Sequence, residues 1–280
     1  MPELPEVETI KRELAPQLVG RRFVAVTVEW PRMVEFPSLE AFCQAIVGKI
    51  IEGVDRRGKY LILRLPNGEA LILHLRMTGA LLLQEAPATP EPRCRATFLL
   101  DNGLEMCFRD LRKLGRMWLV ADENEVIGKL GPEPLDADFT PEVLASRLSS
   151  RAAPIKAVLL DQEVVAGIGN LYADEALFAA GIHPLQPAKS LSREDVLKLH
   201  KAIRQVLEEG IARLGASVNT YRRPGGEQGN AHLYFKVARR GGQPCFVCST
   251  PIKRISVRNR GTYFCPRCQP KSHCDVVKHG

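Results

Sequence analysis

Four cysteines near the C-terminus place the tightest constraint on this chain: Cys245-x2-Cys248-x16-Cys265-x2-Cys268. A Cys-x2-Cys pair wraps a tight turn that points two thiolates at one metal, and two such knuckles complete a tetrahedron. The segments between them, Ile252 to Val257 and Thr262 to Phe264, read as the strands of a short hairpin. The spacing predicts one structural Zn2+ held by Cys245, Cys248, Cys265 and Cys268. A pair of redox dithiols is the competing reading, and two matched pairs bracketing a basic hairpin argue against it. The chain has eight cysteines in all. Cys43, Cys94 and Cys107 are scattered and read as buried apolar residues. Cys274 and the tail after Gln269 take no role in the pattern.

Charge narrows the partner. The net charge is +7, which favours a polyanion. Between Tyr221 and Cys268 stand ten Lys/Arg residues, opposed only by Glu227. Such a run is either a solvated face or a phosphate-binding surface, and its place around a finger favours the second. The start, MPELPEVETI, has no basic segment and no apolar run, so it is not a signal peptide. The most apolar region, Leu61 to Leu83, is broken by Arg64, Pro66, Asn67, Glu69, His74 and Arg76, too often to span a bilayer. The expectation is a cytoplasmic protein with no membrane partner.

The pattern along the chain predicts an α+β fold. A first helix carries Val7, Ile10 and Leu14 on one face, with Pro5 in its first turn. Strand-like runs follow: Arg22 to Trp30, then Lys59 to Leu65 with Ala70 to Leu75 across Pro66-Asn67-Gly68. Thr97 to Leu100 pairs with Leu104 to Phe108 across Asp101-Asn102-Gly103, and Arg116 to Val120 closes the series. Two packed antiparallel sheets, a β-sandwich with the N-terminal helix laid on it, accommodate so many short strands. After Gly131 the pattern turns helical: Pro141 to Ser149, Ile155 to Gln162, Leu171 to Ala180, and a long helix from Ser192. Its buried stripe is read as Val196, Leu199, Ile203, Leu207, Ile211 and Leu214, with Gly215 as C-cap. Thr220 to Asn230, rich in Gly, Pro and Arg, reads as a mobile loop. The expected domains are 2–130, a linker 131–140, a helical domain 141–240 and a finger 241–274.

The N-terminus carries a chemical possibility of its own. Removal of Met1 leaves Pro2 with a free secondary amine, which can attack an aldehyde-like carbon and form an iminium, as a lysine does in Schiff-base chemistry. An α-amino group near pKa ~7.7–8.0 is roughly a tenth neutral at pH 7, far more than an ordinary lysine. Glu3 and Glu6 are close enough in sequence to serve as acid or base. The plainer reading is that Pro and Glu are common at helix starts.

These segments together resemble the formamidopyrimidine-DNA glycosylases of the Fpg/Nei family. The resemblance rests on MPELPEVET, Arg57-Gly58-Lys59-Tyr60-Leu61, His74-Leu75-Arg76-Met77-Thr78-Gly79 and Arg109-Asp110-Leu111-Arg112-Lys113-Leu114-Gly115. It continues through Gly167-Ile168-Gly169-Asn170-Leu171-Tyr172-Ala173-Asp174-Glu175-Ala176-Leu177 and Arg260-Gly261-Thr262-Tyr263-Phe264-Cys265-Pro266-Arg267-Cys268-Gln269, in collinear order over nearly the whole chain. It implies a helix-two-turns-helix domain between the sandwich and the finger, with double-stranded DNA carrying a damaged base bound in a cleft between the halves, and a monomer. It implies excision of oxidised purines (8-oxoguanine, formamidopyrimidines) followed by lyase cleavage. Pro2 would attack C1′ of the everted nucleotide, Glu3 would be the general acid, Glu6 would support the Pro2 amine, and Lys59 would hold a phosphate. Asn170 and Arg260 would clamp phosphates beside the lesion, and His74 would touch the backbone. Met77 and Arg112 would fill the space left by the base, with Arg112 on the orphaned cytosine.

Two departures stand out. The family often has Phe where Leu114 stands as a wedge, and usually reads Val-Tyr-Gly-Arg where this chain has Val237-Ala238-Arg239-Arg240. Two other functions compete: an endonuclease VIII-like glycosylase for oxidised pyrimidines, which Leu4 disfavours because those enzymes typically carry Gly there, and a non-catalytic damage binder, which the joint presence of Pro2, Glu3, Glu6 and Lys59 disfavours.

Overall fold

The first helix, α1 (Leu4–Leu18), forms because Pro5 sits in its first turn and Val7, Ile10, Leu14 and Leu18 recur at helical spacing, all fully buried. Burying each such side chain contributes about 1.5–3 kcal/mol. There follow β1 (Phe23–Val28), β2 (Val34–Phe36), α2 (Leu39–Ile46), β3 (Gly53–Arg57), β4 (Tyr60–Arg64), β5 (Ala70–His74), β6 (Gly79–Glu85), β7 (Cys94–Leu100), β8 (Leu104–Asp110), β9 (Arg116–Val120) and the short α3 (Asn124–Ile127). The helical part comprises α4 (Pro141–Leu148), α5 (Ile155–Leu159), α6 (Asn170–Ala180) and α7 (Arg193–Ala212), and the finger hairpin is β10 (Lys253–Val257) and β11 (Arg260–Phe264). The computed structural model describes residues 1–86, 91–218 and 220–271.

The strands form a four-stranded sheet, β1-β7-β8-β6, and a five-stranded sheet, β2-β9-β5-β4-β3. One core joins the inner faces of both with α1, through Phe23, Phe98 and Phe108 on one side and Leu61, Leu63, Leu71, Leu73 and Met117 on the other. A smaller cluster, Ile62, Ala70, Ile72, Val120 and Ile127, covers the outer face of β4 and β5 beneath α3. β5 is therefore buried at every position, which is why Ala70 to Leu73 is a continuous apolar run rather than an alternation. The expected hairpins β4–β5 and β7–β8 are present. The expectation of purely antiparallel sheets is corrected by β2, which pairs parallel to β9. Three residues after a Pro-initiated 3-10 turn gave too weak a period to be read as a strand.

Backbone contacts group the chain into two units: residues 1–130 with 209–233, and 131–208 with 234–280. The stretch expected as a linker thus belongs to the second unit. The Arg204 guanidinium donates to the carbonyls of Pro134, Leu135 and Asp136, and Ala166 N–H donates to Pro132. Residues 209–233, expected in the helical domain, pack with the sandwich instead. The start of α7 is the expected capping box, in which Ser192 Oγ accepts from Asp195 N–H and the Asp195 carboxylate accepts from Ser192 N–H. Its end differs. The helix stops at Ala212 in a Schellman turn, where Gly215 N–H donates to Gly210 and Leu214 N–H to Ile211. Leu214 rather than Gly215 holds the C′ position, at φ 61°, and is exposed rather than part of the stripe.

Three further expectations are revised. Cys94 and Cys107 are buried but joined as a disulfide between the neighbouring strands β7 and β8, with Cα atoms 5.8 Å apart. Cys43 is half-buried at the core's margin. The 220–230 segment, read as mobile, is pinned. Tyr221 is buried, the Arg223 guanidinium pairs with Glu13, Pro224 C=O accepts from Leu83 N–H, and Ala216 bridges to Asn230. Gly and Pro supplied its turns, not freedom. Cys274 and the last residues of the expected finger lie outside the described residues.

Candidate active site and nucleic-acid interface

In the first unit the N-terminus is held by one carboxylate. Glu3 is the N-cap of α1, and Glu6, almost wholly buried, accepts Glu3 N–H on Oε2 at 2.7 Å. Its Oε1 accepts Ala216 N–H, also at 2.7 Å. This second bond needs Gly215: at φ 78°, a Cβ there would come within 2.9 Å of Glu6 Cγ and of the Tyr221 ring. Pro2 and Glu3 are both buried, while Met1 is exposed. Glu6 thus fixes the position of Pro2 and Glu3, the pair that sequence pointed to.

Lys59 is buried in the tight β3–β4 turn, directly before Tyr60, whose register partner is His74. Lys59 and His74 therefore share one end of the β4–β5 hairpin. Burial, then the positive Arg76 and Lys59, pushes the His74 imidazole down to about 3. Its Nδ1 accepts Arg76 N–H at 3.0 Å, so the neutral ring carries its proton on Nε2, as a donor suited to a phosphate oxygen. Met77 lies three residues after His74, in the turn before β6, and is half-buried. Arg112 is exposed and Leu114 half-buried in the loop between β8 and β9. Asp110 lies beneath this loop, fully buried. Its only signal in the sequence is a lone acid before a short turn ending in glycine.

In the second unit, Gln162 staples the glycine turn ahead of α6, its amide donating to Leu160 and Ile168 C=O and accepting from Gly167 N–H. Asn170 opens α6, and its Nδ2 donates to Gly261 C=O at 2.9 Å, beside Arg260. Two of the expected phosphate contacts are thereby brought together. Arg260 is exposed, as are Lys253, Arg254 and Arg258 on the same hairpin. The hairpin turns on Arg258 and Asn259, both at positive φ, the mark of a two-residue type I′ connection. Three buried groups that carry no signal in the sequence tie α6 to its surroundings, Asp174 to the hairpin and Glu175 to the segment ahead of the finger. Lys156 Nζ donates to Asn170 C=O and to Asp174, and Asp174 also accepts Tyr263 N–H. Burial pushes the Asp174 carboxyl up to about 7, against the pull of Lys156. Glu175 accepts the N–H groups of Lys236, Val237 and Ala238. At the family's usual Gly position Arg239 takes φ 66°, the left-handed region.

The four finger cysteines fit a single zinc. Their Sγ atoms lie within 4.8 Å of one another. Three of the separations are 3.4, 3.5 and 3.9 Å, close to the edge of about 3.8 Å of a tetrahedron with Zn–S near 2.3 Å. Val247 and Cys268 N–H groups point at Cys245 and Cys265 Sγ, as suits thiolates.

Residues 1–117 match the formamidopyrimidine-DNA glycosylase N-terminal domain, 130–222 the formamidopyrimidine-DNA glycosylase H2TH domain, and 242–271 a zinc finger found in FPG and IleRS. The chain belongs to the formamidopyrimidine-DNA glycosylase family. It is 49% identical over 273 residues to the formamidopyrimidine-DNA glycosylase of Chloroflexus aggregans, covering 96% of this chain and 98% of that one. With the enzyme of Symbiobacterium thermophilum the identity is 46%, over 96% and 90%. Among solved structures, Lactococcus lactis Fpg in complex with DNA containing an abasic site superposes with a TM-score of 0.90 at 36% identity, covering 96% and 100%. MutM (Fpg) from Thermus thermophilus gives 0.87 at 39%, over 96% and 98%. These family members share the α+β order read from the sequence: helix, sandwich, H2TH helices and cysteine finger. Among the described residues no helix is long and apolar enough to cross a membrane.

Proposed function

We propose that this chain is a bifunctional DNA glycosylase and AP lyase of base excision repair that removes oxidised purines from double-stranded DNA, working as a monomer in the cytoplasm. Family membership over the whole chain supports the enzyme class. The observation that carries the chemistry is the buried N-terminus, where one carboxylate, Glu6, holds both the helix start and the Ala216 loop. Removal of exposed Met1 frees the Pro2 amine. The Pro2 nitrogen forms a bond to C1′ as the damaged base departs, with Glu3 protonating the sugar ring oxygen so that the ring opens to an iminium. The iminium acidifies the C2′ proton; its loss breaks the C3′–O bond, and a second elimination breaks C5′–O. Lys59 and the Nε2–H of His74 hold the backbone at the lesion. Asn170 and Arg260 clamp adjacent phosphates, and Met77, Arg112 and Leu114 enter the space left by the base, at the cost of unstacking, a few kcal/mol. Cys245, Cys248, Cys265 and Cys268 hold zinc, which organises the finger and takes no part in the chemistry.

The test is borohydride trapping on a duplex with one 8-oxoguanine opposite cytosine, with a dihydrouracil duplex in parallel. The expected result is a covalent adduct on the first, mapped to Pro2. Trapping confined to dihydrouracil would move the activity to oxidised pyrimidines. Binding without any adduct would replace the enzyme by a damage binder.

A further inference from the structure

We propose that Asp110, linked through Thr78, is the positioning residue for both loops that enter the DNA stack. The inference rests on the reading of Met77, Arg112 and Leu114 as insertion residues. Asp110 closes β8 and is fully buried. Among the described residues no cation pairs with its carboxylate. It is satisfied instead by four donors from two loops. Oδ1 accepts the Thr78 hydroxyl at 2.5 Å and Arg112 N–H at 3.1 Å. Oδ2 accepts Leu114 N–H at 2.6 Å and Gly115 N–H at 2.7 Å. Thr78 Oγ1 also accepts Arg112 N–H at 3.1 Å, closing a three-membered cycle. Thr78 is the neighbour of Met77, so one carboxylate ties the Met77 turn, through the Thr78 hydroxyl, to the backbone of the Arg112–Leu114 loop.

The arrangement has a physical purpose. The loop lifts Leu111, Arg112 and Lys113 into solvent, with Lys113 at φ 58°. An exposed loop of that kind, left to itself, samples many conformations, and ordering it on contact with DNA would cost affinity. Charge-assisted bonds from a buried carboxylate remove that cost in advance. Gly115 completes the seat: a Cβ there would lie 2.6 Å from the Phe108 ring and 3.3 Å from Asp110 Oδ2. Three side chains read as one wedge are thus spaced by one buried carboxylate that bonds to none of the three side chains.

The experiment compares excision of 8-oxoguanine with trapping on a preformed abasic site. Excision requires the loops to displace a base, whereas an abasic sugar has none to displace. For Asp110→Asn, whose amide turns N–H groups towards N–H donors, kcat/KM for excision opposite cytosine should fall on the order of tenfold or more. Discrimination against adenine opposite the lesion should shrink, and abasic trapping and zinc content should stay as in the wild type. Thr78→Val, which deletes only the hydroxyl link, should reproduce the pattern in weaker form, and Thr78→Ser should restore the wild type; this pair decides the matter where Asp110→Asn folds poorly. Met77→Ala and Arg112→Ala are run beside them. If those two leave excision and opposite-base preference unchanged, the insertion reading is wrong and this proposal falls with it. If they are impaired while Asp110→Asn and Thr78→Val behave as wild type, only the positioning role is overturned. A proportional loss of excision and abasic trapping in Asp110→Asn and Thr78→Val would mark the network as merely structural and would also overturn it.

Discussion

Single residues carry the reactivity, and their neighbours decide the state in which they act. On the proposed reading Pro2 supplies a secondary amine as nucleophile, so Pro2→Gly should cripple borohydride trapping and strand cleavage while binding lesion DNA with little change. Full cleavage by that variant would sink the assignment. His74 is the residue whose state the fold alters most. Its folded pKa, about 3, lies below the ordinary 6.5. The unfolded chain therefore takes up this proton first as pH falls. The stabilisation is complete above 6.5 and disappears as pH falls from 6.5 through about 3. His74→Gln should flatten the acid limb of stability, read as urea midpoints across that range; a limb as steep as the wild type's would contradict the buried neutral ring. In Glu6 the same logic is structural, since a buried carboxylate with two N–H donors contributes about 1.5–3 kcal/mol per bond.

Between elements, polar groups set the geometry that apolar packing alone leaves loose. The finger hairpin meets α6 through the Lys156–Asp174 pair, both ends of which are buried. Removing one member leaves the other buried without its partner, whereas removing both leaves neither. Lys156→Met should lower unfolding stability by about 3–5 kcal/mol. Lys156→Met with Asp174→Leu should recover part of that loss, although Tyr263 N–H then lacks its acceptor. Urea denaturation of the three chains checks this, and equal losses in the single and double variants would deny the coupling. The ends of elements were the places where sequence spoke least clearly. The C-terminus of α7 reads as ending at Gly215, yet Leu214 takes the left-handed position. The glycine is required elsewhere, by the close approach of Glu6 and Tyr221 from distant parts of the chain.

On the scale of the whole molecule, the residues proposed to carry the function are distributed over two units: Pro2, Glu3, Glu6, Lys59, His74, Met77, Arg112 and Leu114 in one, and Asn170, Arg260 and the cysteines in the other. Cys248→Ser should release zinc and weaken DNA binding, by metal analysis and by titration at fixed salt. Unchanged metal content and affinity would remove the finger from the interface. The cysteine spacing, the helix start at the N-terminus, the main hairpins and the order of the parts were legible in the chain, because each depends on residues near one another in sequence: a turn, a period, a pair of knuckles. The membership of 209–233 in the sandwich unit, the parallel β2, the disulfide of Cys94 and Cys107, the pinned 220–230 segment and the roles of Asp110, Thr78, Lys156 and Asp174 were decided only in three dimensions. A buried charge or hydrogen-bond donor takes its meaning from the partners that desolvate and satisfy it, and those partners lie up to 210 residues away, as Glu6 and Ala216 do.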